Sequence, residues 1–174
     1  MNNSIPLFKV FMSKEAPAEV GKVLMSGFVG EGPKVKQFES KLKNFIGNEK
    51  LIAVNSATSS LHLSLHLIKK PNGDWPGLKS GDEVLSCPLT CTATNKLSPT
   101  TKVIMLVHWG GNPIDLDRVE KIKEKCYSLY GFRPMVIEDC AHSFGSEYKG
   151  KKLGNTGHDN FVVYSFQAIK HLTC

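Results

Sequence analysis

Four short stretches of this sequence are apolar from end to end: Leu51 to Val54, Val103 to Val107, Met135 to Ile137 and Phe161 to Tyr164. A strand that meets water on one face alternates apolar and polar residues, so an unbroken run belongs to a strand covered on both faces. Glu83 to Ser86 reads as a fifth strand. Amphipathic segments separate these runs. Over residues 34–46, Val35, Phe38, Leu42 and Phe45 recur at steps of three and four, and Gly47 is a natural stop. A second helix is predicted over 58–68, with Leu61, Leu65 and Ile68 on one face, and a third over 116–129, with Leu116, Val119, Ile122, Cys126 and Leu129. Strands alternating with helices predict an α/β fold, a mostly parallel sheet with helices on both faces. Residues 71–81, rich in Pro, Asn, Gly, Asp and Ser, are predicted to form a surface loop.

Composition removes several function classes. No apolar run reaches the roughly 20 residues of a membrane-spanning helix. Residues 1–17 lack the basic start and apolar stretch of a secretory signal, which predicts a cytoplasmic protein with no membrane partner. The five cysteines, Cys87, Cys91, Cys126, Cys140 and Cys174, form no CxxC pair, so neither a disulfide framework nor a metal site is predicted. The net charge is +6, but the lysines are dispersed and the densest run, Lys149 to Lys152, surrounds a glycine in a turn. That pattern does not predict a nucleic-acid partner, and a phosphate-bearing ligand suits the same charge.

In a parallel sheet, ligands bind beyond the carboxyl ends of the strands. Five segments follow predicted strands: residues 55–58, 88–92, 108–111, 139–143 and 165–170. In the first, Ser56, Ala57 and Thr58 open a helix, where free N–H groups and the helix dipole receive anions; an ordinary N-cap gives the same pattern. In the fourth, Asp139 ends a buried strand and requires a cation or hydrogen-bond donor. A protonated pyridine nitrogen is one such partner, with His142 three residues on beside the ring; a structural Asp and a core His are the alternative. In the fifth, Lys170 follows a buried strand, where desolvation frees an amine for attack on an aldehyde, unless it is a surface lysine. Ser165 lies where it also could bind phosphate. Together these segments supply an anion site, a ring-nitrogen carboxylate and an amine at one sheet edge.

The motifs Glu138-Asp139-Cys140-Ala141-His142-Ser143-Phe144-Gly145 and Ser165-Phe166 with Lys170 resemble those of the DegT/DnrJ/EryC1/StrS group of fold-type I enzymes dependent on pyridoxal 5'-phosphate (PLP). So do Gly30-Glu31-Gly32-Pro33, Asn55-Ser56-Ala57-Thr58, Pro88 to Asn95, His108 to Gly111 with Pro113 and Asp117, and Tyr148 to Gly154. The resemblance runs from about Gly27 to the last residue. It implies Lys170 as the lysine that forms the Schiff base, Asp139 as the pyridinium partner, His142 near the ring, and Thr58 and Ser165 on the phosphate. Ser56 and Ala57 share that turn, and Cys91 stands where many relatives place an aromatic against the ring. By the same resemblance, the full-length parent is a homodimer that moves an amino group from glutamate to a nucleotide-linked keto sugar. That chemistry resembles perosamine synthesis and polysaccharide biosynthesis. Sugar dehydratases of the group carry His in place of this lysine, so Lys170 favours amination.

Two departures from the group's pattern accompany these matches. The resemblance assigns residues 1–30 to an N-terminal arm and 31–174 to an incomplete PLP-binding large domain, with no C-terminal small domain. The join Asn95-Lys96-Leu97-Ser98-Pro99 is also short: the 15 positions from Cys87 to Thr101 leave no room for the strand and acidic loop that the group has there. An internal deletion is expected. A catalytically inactive fragment, or an interaction subunit paired with a complete homologue, is the alternative to an active aminotransferase.

Overall fold

The computed structural model describes residues 10–86 and 98–172. They fall into two compact units, residues 54–165 and residues 1–53 with 166–174.

The larger unit is built on a four-stranded parallel sheet in the order β1-β2-β3-β6. Its strands are β1 (Glu83–Ser86), β2 (Thr101–Val107), β3 (Met135–Asp139) and β6 (Phe161–Val163). β2 and β3 lie inside the sheet and carry its core, because each has a neighbour on both sides. Residues alternate between the two faces. Ile104, Leu106, Val136 and Cys140 point to one face and pack against Leu116 and Val119 of helix α4 (Leu116–Tyr130). Val103, Ile137 and Val163 point to the other, where Ala57, Leu61 and Leu65 of helix α3 (Ala57–Leu67) cover them. Residues on each core face are almost fully excluded from water, and burying a side chain of this size stabilises by about 1.5–3 kcal/mol.

The helix ends are set by local chemistry. Ser56 caps α3, its Oγ accepting from Ser59 N–H at 3.1 Å. Asp115 caps α4 in the same way, accepting from Arg118 N–H at 3.1 Å, and left-handed Gly131 closes the helix. Residues 147–152 form a small antiparallel hairpin, β4 (Glu147–Tyr148) and β5 (Lys151–Lys152). Its two-residue turn, Lys149-Gly150, has positive φ at both positions, the backbone that matches the twist of a tight hairpin.

The second unit contains helices α1 (Ala16–Ser26) and α2 (Pro33–Ile46). Pro33 starts α2 and left-handed Gly47 ends it, with Gly47 N–H donating to Lys43 O at 2.8 Å. In the segment that returns to this unit, the Phe166 ring stands edge-on to Phe38 of α2, with centroids 5.2 Å apart.

Several expectations are corrected. Residues 51–54 form no strand: Ile52 and Val54 are exposed, and the Glu39 carboxylate takes Ala53 N–H at 2.7 Å in place of a neighbouring strand. In α2 the buried residue at the end is Ile46 and Phe45 is exposed; in α4, Leu129 is exposed. The loop 71–81 is not wholly a surface feature. Trp75 is buried within it and donates its indole N–H to Ile68 O at 2.8 Å. A Cβ on Gly77 would lie 2.6 Å from Lys69 O, so only glycine allows this close return.

Candidate functional site

The carboxyl edge of the sheet presents a different polar arrangement on each face. On the α3 face stand the start of α3 and Asp139. Ile137 packs with α3, and Asp139, two residues further along β3, shares its face. The Ser56 hydroxyl serves as the N-cap of α3. The first N–H groups of α3, those of Ala57 and Thr58, precede any intrahelical acceptor and carry the positive end of the helix dipole. Thr58 is exposed and Ala57 half-buried.

Asp139 is held firmly but incompletely. Its carbonyl accepts from His108 N–H at 3.1 Å, and its Oδ1 accepts from Ala141 N–H at 2.9 Å. Among the described residues its Oδ2 has no hydrogen-bond partner. The turn after it is fastened to the turn after β2. The His142 ring meets the Trp109 indole edge-on, with centroids 4.9 Å apart. Ser146 Oγ donates to Gly111 O at 2.8 Å. Gly111 has a φ of 82°, and a Cβ there would stand 3.4 Å from His142 O. Ser165, half-buried, lies two residues beyond β6.

On the α4 face the polar groups form a closed set. His108 and Glu138 are both buried, and His108 Nε2 lies 2.8 Å from Glu138 Oε2. Ile114 N–H donates to His108 Nδ1 at 3.0 Å, which leaves Nε2 as the nitrogen that carries the proton. Asn160 Nδ2 donates to Glu138 Oε1 at 2.7 Å. Burial pushes the neighbouring Cys140 thiol and Tyr164 phenol well above their ordinary ranges, so both remain protonated. His108, Glu138 and Cys140 lie close together, yet both His108 nitrogens already face protein partners.

The sequence reading placed the segment 108–111 at the ligand edge without assigning His108 a role, and it left Glu138 and Asn160 unassigned. The signal was present. Glu138 falls between Val136 and Cys140 on a buried face, so it requires a buried partner, and Leu106 opposite it brings His108 alongside. Lys170 belongs to the other unit. It is half-buried, and its backbone N–H donates to Gln167 O at 2.8 Å. Cys91 lies outside the described residues.

PLP needs an anion site, an acceptor for its ring N–H and an amine for its aldehyde. The larger unit offers the first two on one face of the sheet, with a carboxylate oxygen uncommitted, so its residues fit the group.

Comparison with known proteins gives a consistent result. The model of the DegT/DnrJ/EryC1/StrS aminotransferase family matches residues 11–97 and 92–174. The crystal structure of AtS13 from Actinomadura melliaura is similar over 99% of this chain and 52% of its own, with 42% identity and a TM-score of 0.85. The sugar aminotransferase CalS13 from Micromonospora echinospora is 37% identical, with a TM-score of 0.83 over 98% of this chain and 52% of its own. Protein MJ1066 of Methanocaldococcus jannaschii is 33% identical over 198 residues, covering 97% of this chain and 47% of that protein. The chain therefore spans about half the length of the relatives it matches. The alignment with MJ1066 is longer than the 174 residues of the chain itself, and the two family matches meet at residues 92–97, where the short join was read.

Proposed function

This chain belongs to the DegT/DnrJ/EryC1/StrS aminotransferase family, whose members depend on PLP, and on that footing we propose that its sheet edge holds PLP for amino-group transfer to a keto sugar. One observation carries the reading: on a single face of the sheet, a carboxylate with one oxygen unpartnered among the described residues accompanies a helix start whose first N–H groups have no intrahelical acceptor. CalS13 is a sugar aminotransferase, and its likeness to this chain supports a sugar as acceptor. A nucleotide-linked 4-keto sugar as acceptor, glutamate as donor and a homodimeric parent complete the proposal.

When bound, PLP supplies an electron-withdrawing ring that carries an amino group from donor to acceptor. Each residue then has a defined task. The N–H groups of Ala57 and Thr58, the Thr58 hydroxyl and Ser165 bind the phosphate, while Ser56 fixes the turn that aims those N–H groups. Asp139 Oδ2 accepts the ring N–H and keeps that proton in place. His142, backed by Trp109, would face the ring. Lys170 Nζ would be the amine that holds the aldehyde group and, when free, the base that would carry a proton from the donor carbon to the cofactor carbon.

A second reading rests on the half-length match and the short join: the chain pairs with a complete homologue and has no turnover of its own. The two separate experimentally. The purified chain is mixed with PLP and reduced with borohydride, and the labelled peptide is mapped. Label on Lys170 is the expected result, and label on any other lysine rejects the assignment. A stable complex with a full-length family member, with no cofactor uptake by this chain, favours the second reading.

A further inference from the structure

Glu138 is a buried carboxylate with no lysine or arginine among its hydrogen-bond partners in the described residues. Its two oxygens accept from His108 Nε2–H and from Asn160 Nδ2, at 2.8 and 2.7 Å, and both donors are neutral. Ile114 N–H on Nδ1 leaves the His108 proton on Nε2, so Glu138 Oε2 accepts from the ring. Charge buried this way is expensive, and hydrogen bonds from neutral groups offset only part of the cost. The other titratable groups beside it, Cys140 and Tyr164, are kept protonated by burial and supply no positive charge. Among the described residues, a carboxylate with no cationic hydrogen-bond partner thus lies one residue from Asp139. His108 joins the two acids, since its backbone N–H holds the Asp139 carbonyl and its ring holds the Glu138 carboxylate.

We propose that Glu138 is a positioning residue that acts through Asp139: a second carboxylate, on the opposite face of the sheet, that favours the protonated form of a pyridine ring bound at Asp139 Oδ2. This rests on the PLP reading and extends it. Two adjacent anions repel, and a cation placed against one of them relieves the pair. A protonated ring nitrogen is such a cation. Glu138 touches neither the ring nor the substrate; its effect is a field, transmitted through the end of β3 that His108 fixes.

The substitution Glu138→Gln isolates charge from shape. Gln Oε1 still accepts from His108 Nε2–H. The new amide N–H needs an acceptor, and Asn160 Oδ1, now buried without a partner, becomes one when the Asn160 amide turns over. The variant is therefore expected to fold.

The experiment measures binding of PLP and of its analogue with carbon in place of the ring nitrogen, to the whole chain and to the Glu138→Gln chain, by fluorescence titration. The 15N signal of ring-labelled PLP is recorded on both. Removing one unit charge from the residue beside Asp139, at an effective dielectric of ~20, is expected to lower PLP affinity by about tenfold. The carbon analogue is expected to show no such loss, and the 15N signal of the variant to move toward that of the unprotonated ring. A role confined to packing would weaken both ligands alike and leave the 15N signal of the bound fraction in place; that result overturns the proposal. So does unchanged PLP affinity. If the unaltered chain binds neither ligand, the cofactor reading itself fails and this inference goes with it. Binding by the unaltered chain with no selective loss in the variant sinks the inference alone.

Discussion

The two faces of the sheet reach its carboxyl edge in opposite states of completion. On the α4 face, Glu138 uses both oxygens and His108 both nitrogens, and neither residue meets water. On the α3 face, Asp139 has one oxygen committed and one without a partner among the described residues, and the first N–H groups of α3 have no partner in their own turn. Adjacent residues on one strand thus serve different ends. Where the polar valences are used up, the groups hold the frame; where some are left over, the frame presents them to a ligand.

The largest effect is expected from opening the closed face. Glu138→Ala or His108→Ala removes one half of a buried pair, and the remaining polar group has no water to turn to. A loss of about 1.5–3 kcal/mol in urea unfolding is expected for each. Asp139→Ala should cost under about 1.5 kcal/mol, because its side chain is half-buried and makes a single described hydrogen bond. Equal losses at positions 138 and 139 would erase the distinction between the faces.

A smaller effect tests the open face. Ser56→Ala removes the N-cap of α3 and should cost about 1 kcal/mol of stability. PLP affinity should change little once the chain is folded, since the hydroxyl is occupied by Ser59 N–H and the phosphate is assigned to backbone N–H groups and to Thr58. Thr58→Val should do the reverse: little change in unfolding, and a loss in PLP affinity of about ten- to hundredfold, the worth of one hydrogen bond to a charged group. If Ser56→Ala weakens the ligand more than Thr58→Val does, the cap and the ligand contact have been assigned to the wrong residues.

Much of the frame was legible because it is written in apolar period. β2 and β3 read as unbroken runs since both their faces are covered, and α4 reads as a 3.6-residue stripe since one face packs on β2 and β3. Helix α1 was not foreseen. None of its residues is buried, so no core left a period in its sequence. Residues 51–54 failed for the converse reason: an apolar run predicts a strand only where neighbours pair with it, and here Glu39 satisfies the backbone instead. Asp139 was found because it stands at a strand end in a recognisable motif. Glu138, beside it in the same motif, was passed over because its partners His108 and Asn160 come from other strand ends, and only the register joins them.

The smallest effect sharpens the contrast between buried and exposed polar groups on the α4 side. At the start of α4, Tyr148 Oη donates to Asp115 Oδ1 at 2.8 Å, and Lys149 pairs with Asp117. The Tyr148 hydroxyl, then the Arg118 N–H, holds Asp115 below the usual carboxylate range; the Lys149 ammonium does the same for Asp117. A carboxylate whose folded value is depressed contributes stability that is complete above its unfolded value and is lost as pH falls through the folded one. Thermal unfolding of the chain and of Asp117→Asn, followed from pH 7 down to pH 2, should therefore converge as the acid limit is approached. The gap at pH 7 should be small, since the ion pair is solvent-exposed, and should shrink further in 1 M salt, where the screening length falls to about 3 Å. The deficit of Glu138→Ala should survive the same salt, because its partners are out of reach of ions. A salt-resistant gap at Asp117 would place that pair with the buried groups and blur the line between the frame and its rim.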